Sequence, residues 1–192
     1  MIHKMLKYKK VILASASPRR QSIFNMLGIN ALQMPANIDE DLFSNNPRKL
    51  VKTHAENKAL AVRKTVENDY LIVGSDTIVF QKPDILEKPQ SKYQAAEYLT
   101  RLSGIYHDVY TGVAISYKNQ IISGIEKTRV TFCELTPQEI EEYIKTNEPM
   151  DKAGAYGIQG YGSQFVSKIS GCYFNVMGFP VNCFYKLLKE IL

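Results

Sequence analysis

A chain of 192 residues, 45% hydrophobic and 22% charged, can bury a real core and is too short for a multi-domain array. The formal net charge of +5 and predicted pI near 9.0 point to an anionic partner: a phosphorylated small molecule, nucleic acid or a membrane surface. The apolar run Val11 to Ala14 is too short for a signal-peptide core or a bilayer span, so cytoplasmic residence is expected. Cys133, Cys172 and Cys183 have no CxxC spacing, support neither a disulfide framework nor a zinc site, and read as reduced structural thiols.

In chain order, Lys4, Lys7, Lys9 and Lys10 read as a solvated tail, and Val11 to Ser15 as a buried strand. Ser17-Pro18 is a helix entrance, with serine as N-cap and proline at the first helical position; Gly28 should end that helix. A second helix is predicted from Asn46-Pro47 to about Val66, because Val51, Ala55, Ala59, Val62 and Val66 recur at three- and four-residue steps. Lys58 falls on that same stripe. Tyr70 to Val73 reads as a short strand, resumed after Gly74-Ser75-Asp76 by Thr77 to Phe80. Capping boxes at Ser91 to Gln94 and Thr136 to Glu139 open two more helices, the first closing at Gly104. Between them, Val109 to Tyr117 and Ile121 to Phe132 form a hairpin turning at Lys118-Asn119-Gln120. A final helix from about Pro180 to Leu192 places Val181, Phe184, Leu188 and Ile191 on one face. No repeat or linker interrupts the chain. The expectation is a single α/β domain over residues 1–192, a mixed twisted sheet flanked by helices, with two closely packed lobes around a central cleft as a variant.

Five segments could carry chemistry. In Ser15-Ala16-Ser17-Pro18-Arg19-Arg20, two hydroxyls and two guanidinium groups meet the positive end of a helix, which outlines a phosphate site; a Ser-Pro cap with two surface arginines is the plain alternative. Asp76 interrupts an otherwise apolar run from Leu71 to Phe80, where a carboxylate needs a partner and could ligate a hard cation or take a proton from water. An Asp-Thr bulge or turn would also explain it. Asp39-Glu40-Asp41 could add metal ligands, or form a solvated loop. Lys58 and Lys88 could meet the charge on a leaving pyrophosphate, although snorkelling accounts for Lys58 adequately. Asp151 to Gly162 is dense in glycine but has neither GxGxxG nor GK[ST]; its Gln159 could pair with the edge of uracil or thymine, unless the stretch is only a flexible surface loop.

Ser15 to Arg20, Gly74 to Thr77, Glu87 to Pro89, Leu102 to Val113 (Leu-Ser-Gly-x-x-His-x-Val-x-Thr-Gly-Val) and Asp151 to Gly160 together resemble the Maf family of nucleotide pyrophosphatases, in that family's order and over nearly the whole chain. The resemblance implies a fold related to the inosine triphosphate pyrophosphatases, a homodimer, and divalent-metal-dependent cleavage between the α- and β-phosphates. It implies that Asp76 is the proton acceptor and that Arg19, Thr77 and Gln159 govern substrate choice. Glu40, Lys58 and Lys88 look similar to the charged groups lining the family's pocket. The Asp-Lys-Ala-Gly-Ala-Tyr-Gly-Ile-Gln-Gly motif resembles the subgroup acting on dTTP and UTP rather than on 7-methyl-GTP.

The expected activity is therefore a pyrimidine triphosphate pyrophosphatase, in which Mg²⁺ or Mn²⁺ held by Asp76 and Glu40 bridges the triphosphate. Asp76 also activates water, and Ser15, Arg19, Arg20, Lys58, Lys88, Thr77 and Gln159 bind substrate. Membrane and nucleic-acid partners are not expected. Two alternatives stay open: a regulator of septum formation that binds nucleotide or nucleic acid without turnover, and a purine house-cleaning pyrophosphatase. Ser75 stands where alanine is commoner in the family, and its hydroxyl is expected to bond Asp76 and lower its basicity.

Overall fold

A computed structural model describes residues 1–38 and 44–192; the acidic stretch with Glu40 lies outside the described residues. The helices are α1 (Ile2–Leu6), α2 (Pro18–Met26), α3 (Pro47–Arg63), α4 (Lys92–Leu102), α5 (Pro137–Lys145), α6 (Tyr173–Val176) and α7 (Val181–Ile191). The strands are β1 (Lys10–Leu13), β2 (Ala31–Gln33), β3 (Tyr70–Gln81), β4 (Asp84–Leu86), β5 (Tyr106–Tyr117), β6 (Gln120–Phe132) and β7 (Val166–Ser170).

Among the described residues seven strands form one sheet in the order β2-β1-β3-β5-β6-β7, with β4 paired to β3. β1 runs parallel to β2 and to β3, Ile12 standing opposite Leu32 on one side and Ile72 on the other. β4 is antiparallel to β3, and β7 to β6 with a register shift at Thr131/Phe132. The sheet is mixed, as expected.

The chain divides into two compact units. The first comprises residues 1–76, 111–126 and 178–192. Its core joins Ile12, Ala14, Ala55, Ala59, Val62, Ile72 and Ala114. Phe24, Phe179 and Phe184 form a second buried group, with ring centroids 5.0 to 5.9 Å apart. α7 buries Phe184, Leu187 and Leu188, with Val181 and Ile191 half-buried at the ends of that face.

The N-terminal segment is not a tail. α1 buries Ile2 and Leu6 and packs on α7, which leaves Lys4 and the C-cap Lys7 exposed, while Lys9 donates to Tyr117 Oη and Lys10, the first residue of β1, pairs with Asp69. The basic residues had hidden two apolar positions four apart.

α2 and α3 begin as their caps dictate: Ser17 Oγ accepts from Arg20 N, and Asn46 Oδ1 accepts from Arg48 N and Lys49 N. α3 ends at Arg63, three residues before the predicted Val66. Its backbone lies directly on the strands. A Cβ on Gly74 of β3 would come within 2.1 Å of Ala55 O, and one on Gly112 of β5 within 2.1 Å of Val51 O. Only glycine permits that approach. β3 passes through Gly74-Ser75-Asp76 as one strand of 12 residues rather than two short ones, so no turn accounts for Asp76.

The second unit comprises residues 77–110 and 127–177. α4 buries Ala95, Leu99 and Leu102, α5 buries Ile140, Tyr143 and Ile144, and both pack with Val79, Val130, Phe132, Tyr156 and Phe165. The capping box at Thr136 is complete: Thr136 N donates to Glu139 Oε2 and Glu139 N to Thr136 Oγ1. The box expected at Ser91 is half-formed, since Gln94 Oε1 accepts from Gln90 N, one residue before the cap. The glycine-rich stretch is no slack loop: 3-10 turns occupy Glu148–Asp151, Ala153–Ala155 and Tyr161–Phe165, and residues 154–158 are buried. Among the described residues no disulfide forms; Cys133 is exposed and so is not a core thiol.

Candidate active site

The site is built in the first unit, where β1, β3 and the first turn of α2 meet the middle of α3. β3 carries Asp76 inward, 5% exposed among apolar neighbours. α3 presents His54 and Lys58, 3% and 6% exposed, one helical turn apart on the same face. Lys58 Nζ donates to Asp76 Oδ1 at 2.7 Å, and His54 Nδ1 lies 3.1 Å from Oδ2. An ionised carboxylate can only accept, so His54 carries its proton on Nδ1 and donates. Each oxygen of Asp76 thus has its own cationic or imidazole donor.

This arrangement fixes the charge state. Burial by itself pushes the Asp76 carboxyl up; the hydrogen bond from His54 and the charge and hydrogen bond of Lys58, with the charge of Arg20 adding to them, outweigh it and hold the carboxyl well below the ordinary carboxylate range. Asp76 is an anion at neutral pH.

Arg20 and Ser15 stand beside it. Arg20 Nη1 donates to Ser15 Oγ at 2.9 Å and Nε to Gly178 O at 2.8 Å, so this buried guanidinium ties α2 to the segment before α7. Ser15 Oγ also accepts from Ser17 N, fixing the approach to the N-terminus of α2. Arg19, the next residue of that first turn, is half-exposed. Ser75 corrects its expectation: its hydroxyl donates to Gly178 O at 3.2 Å, not to Asp76, because successive strand side chains leave on opposite faces. His54 and Lys58 do what Ser75 was expected to do.

Among the predicted residues, the structure therefore assembles Ser15, Arg20, Lys58 and Asp76, with Arg19 on the same helix turn. Thr77, Lys88 and Gln159 belong to the second unit. There, Thr77 is half-buried, and Lys88 and Gln159 are exposed. Glu87 O, next to Lys88, accepts from Gly154 N at 3.1 Å, which ties the Glu87-Lys88-Pro89 segment to the glycine-rich turns. His54 was missed. Its signal was its place on the apolar stripe, three residues after Val51 and four before Lys58.

Among the described residues no group of three His, Cys, Asp or Glu side chains forms a metal cage. A divalent ion carried by a triphosphate needs only one or two carboxylates besides the phosphates. Asp76 supplies one hard anionic donor, so the site fits an ion of that kind. Among the described residues no helix is long and apolar enough to cross a membrane.

A solved structure of the Staphylococcus aureus Ham1 protein superposes on this chain with a TM-score of 0.51, covering 95% of this chain and 98% of that one at 12% identity. The fold is therefore shared with that α/β class. Residues 10–191 match the Maf-like protein family, and the chain belongs to it. It is 44% identical over 185 residues to a dTTP/UTP pyrophosphatase of Clostridium perfringens strain SM101, covering 94% of this chain and 96% of the relative. It is 43% identical over 183 residues to a dTTP/UTP pyrophosphatase of Bacillus thuringiensis subsp. konkukian strain 97-27, covering 95% of each.

Proposed function

We propose that this protein is a nucleoside triphosphate pyrophosphatase that hydrolyses dTTP and UTP to the monophosphate and pyrophosphate. The observation that carries the proposal is the buried Asp76 carboxylate, gripped by His54 and Lys58 beside Ser15 and Arg20. The pyrimidine preference is supported by the relatives named above.

Asp76 accepts a proton from the water that attacks the α-phosphorus, while the bond from that phosphorus to the bridging oxygen breaks and pyrophosphate leaves. A carboxylate held so far below its ordinary pKa is a weak base, so Lys58 must give up Asp76 when the triphosphate arrives. The ammonium then serves the phosphates, and one of the two donors that hold the Asp76 carboxyl low is removed in the same movement. Arg19, Arg20 and Lys88 meet the remaining negative charge, Ser15 binds the phosphate chain, and Thr77 and Gln159 select the base or hold it in register. Asp76, with Glu40 as the second carboxylate that the resemblance implies, would hold Mg²⁺ or Mn²⁺, which would supply charge neutralisation of the triphosphate. Cytoplasmic residence and a homodimer belong to the same proposal, the latter measurable by sedimentation.

The test is pyrophosphate release from a panel of triphosphates with Mg²⁺ or Mn²⁺, then with EDTA. Turnover of dTTP and UTP should be abolished by EDTA and fall about 10²- to 10⁴-fold in Asp76→Asn. Nucleotide binding with no turnover under any condition would overturn the proposal.

A further inference from the structure

Glu148 lies outside every motif singled out in the sequence, yet the glycine-rich stretch is folded around its carboxylate. Oε1 accepts from Tyr143 Oη at 2.9 Å and from Gly162 N at 3.0 Å, and Oε2 accepts from Tyr161 N at 2.9 Å. Tyr143 Oη in turn accepts from Gly157 N at 3.2 Å, and Lys152 Nζ donates to Glu148 O at 2.7 Å. A Cβ on Gly160 would sit 2.5 Å from Glu148 Oε2, so the backbone closes on the carboxylate as nearly as it can. Three donors, from positions 143, 161 and 162, thereby converge on one half-buried carboxylate, and the Gly157 amide joins them through the Tyr143 hydroxyl. Gln159 lies among them, exposed with Gly160 after it and the buried Ile158 before it.

We infer that Glu148 is the positioning residue for Gln159: its carboxylate fixes the turn over residues 157–162 so that the Gln159 amide meets the pyrimidine edge in one orientation. The inference rests on the function proposed above and assigns the base-recognition geometry to a side chain that never touches the nucleotide. A charged acceptor suits the task, because hydrogen bonds to a carboxylate are shorter and stronger than those to a neutral amide. Replacement by glutamine keeps the shape but turns an NH₂ group against a backbone N–H, which expels the loop instead of holding it.

The experiment is a kinetic double-mutant cycle with Glu148→Gln, Gln159→Ala and the pair, assayed on dTTP and on a purine triphosphate with the divalent ion present. Expected is a fall of about 10- to 100-fold in kcat/KM for dTTP in Glu148→Gln, carried by KM, with a reduced preference over the purine. The pair should be no worse than Gln159→Ala alone, as two changes acting through one contact must be. Independent, additive losses, or a loss confined to kcat with preference intact, would overturn the inference. Amide hydrogen exchange gives a readout apart from catalysis: Tyr161 and Gly162 should lose protection in Glu148→Gln. If the parent protein releases no pyrophosphate, the function is wrong, and the exchange arm still decides whether Glu148 holds the loop. Should Glu148→Gln fail to fold, Tyr143→Phe, which deletes one hydroxyl, replaces it in the cycle, with a smaller loss and the same non-additivity.

Discussion

Lys58 and Asp76 illustrate how a buried charge is both a liability and a tool. Removing Lys58 alone strands the Asp76 carboxylate among apolar neighbours, so Lys58→Met should lower unfolding stability by about 3 kcal/mol. Adding Asp76→Asn to it should recover much of that loss, as urea denaturation of the two proteins would reveal; equal stability of both would mean that the pair is not coupled. His54→Leu removes the donor to Oδ2 but keeps bulk on the stripe, and should lower kcat about tenfold with little change in KM, measurable by steady-state pyrophosphate release. Asp76 was legible in the sequence because a carboxylate inside an apolar strand demands partners. Lys58 was legible from its place on a helical stripe. His54 was not, since an imidazole on such a stripe is compatible with a core position, and only the register of α3 against β3 turns it toward Asp76.

Among the elements, the helix starts were readable because a cap is a local contract between a side chain and the next three amides. Ser17, Asn46, Ser91 and Thr136 all cap as expected. Ser17→Ala should cost about 1 kcal/mol, and a denaturation midpoint equal to the parent's would remove Ser17 from the account of α2. What failed to be legible was tertiary: α1 packs its Ile2 and Leu6 side on α7, and the turn after Gln159 delivers the Tyr161 and Gly162 amides to Glu148, while the Gly157 amide before it goes to the Tyr143 hydroxyl. Nor could local pattern reveal why Gly74 is glycine. Gly74→Ala sets a methyl group against Ala55 O, pushes α3 away from β3 and should lengthen both contacts to Asp76. The expected result is a protein destabilised by several kcal/mol whose residual folded fraction has lost activity, seen by calorimetry and turnover together.

At the scale of the molecule, each compact unit is stitched from separated stretches of chain, and the chain passes from one to the other within β3, β5 and β6 and again between Met177 and Gly178. Sequence periodicity describes neighbours along the chain and cannot anticipate such a partition, although the α/β class and the mixed sheet followed from the order of elements. The second unit also carries a titrating core residue. His107 is packed against Phe132 and Tyr156, with Nε2 2.8 Å from Tyr156 Oη. Burial lowers its pKa from 6.5 to about 4, only weakly opposed by the charge of Asp108. The folded state therefore favours the neutral ring, so its stabilising contribution is complete above pH 6.5 and is lost as pH falls from there toward 4. The full loss is roughly 3 kcal/mol. His107→Gln should flatten this part of the stability profile, which unfolding midpoints at pH 7 and 4.5 would test; an unchanged slope would exclude His107 as the titrating group.

The two glycines beneath α3 have a consequence for which changes this chain can accept over time. They fix the helix by its backbone at Val51 and Ala55, and the donors to Asp76 sit at His54 and Lys58, interleaved with those anchor points. Each residue turns a helix by about 100°. A one-residue deletion between Val51 and Lys58 would leave every amino-acid type in the segment helix-compatible and still rotate the Lys58 ammonium out of the site. In this stretch it is length, more than composition, that descent with modification must preserve.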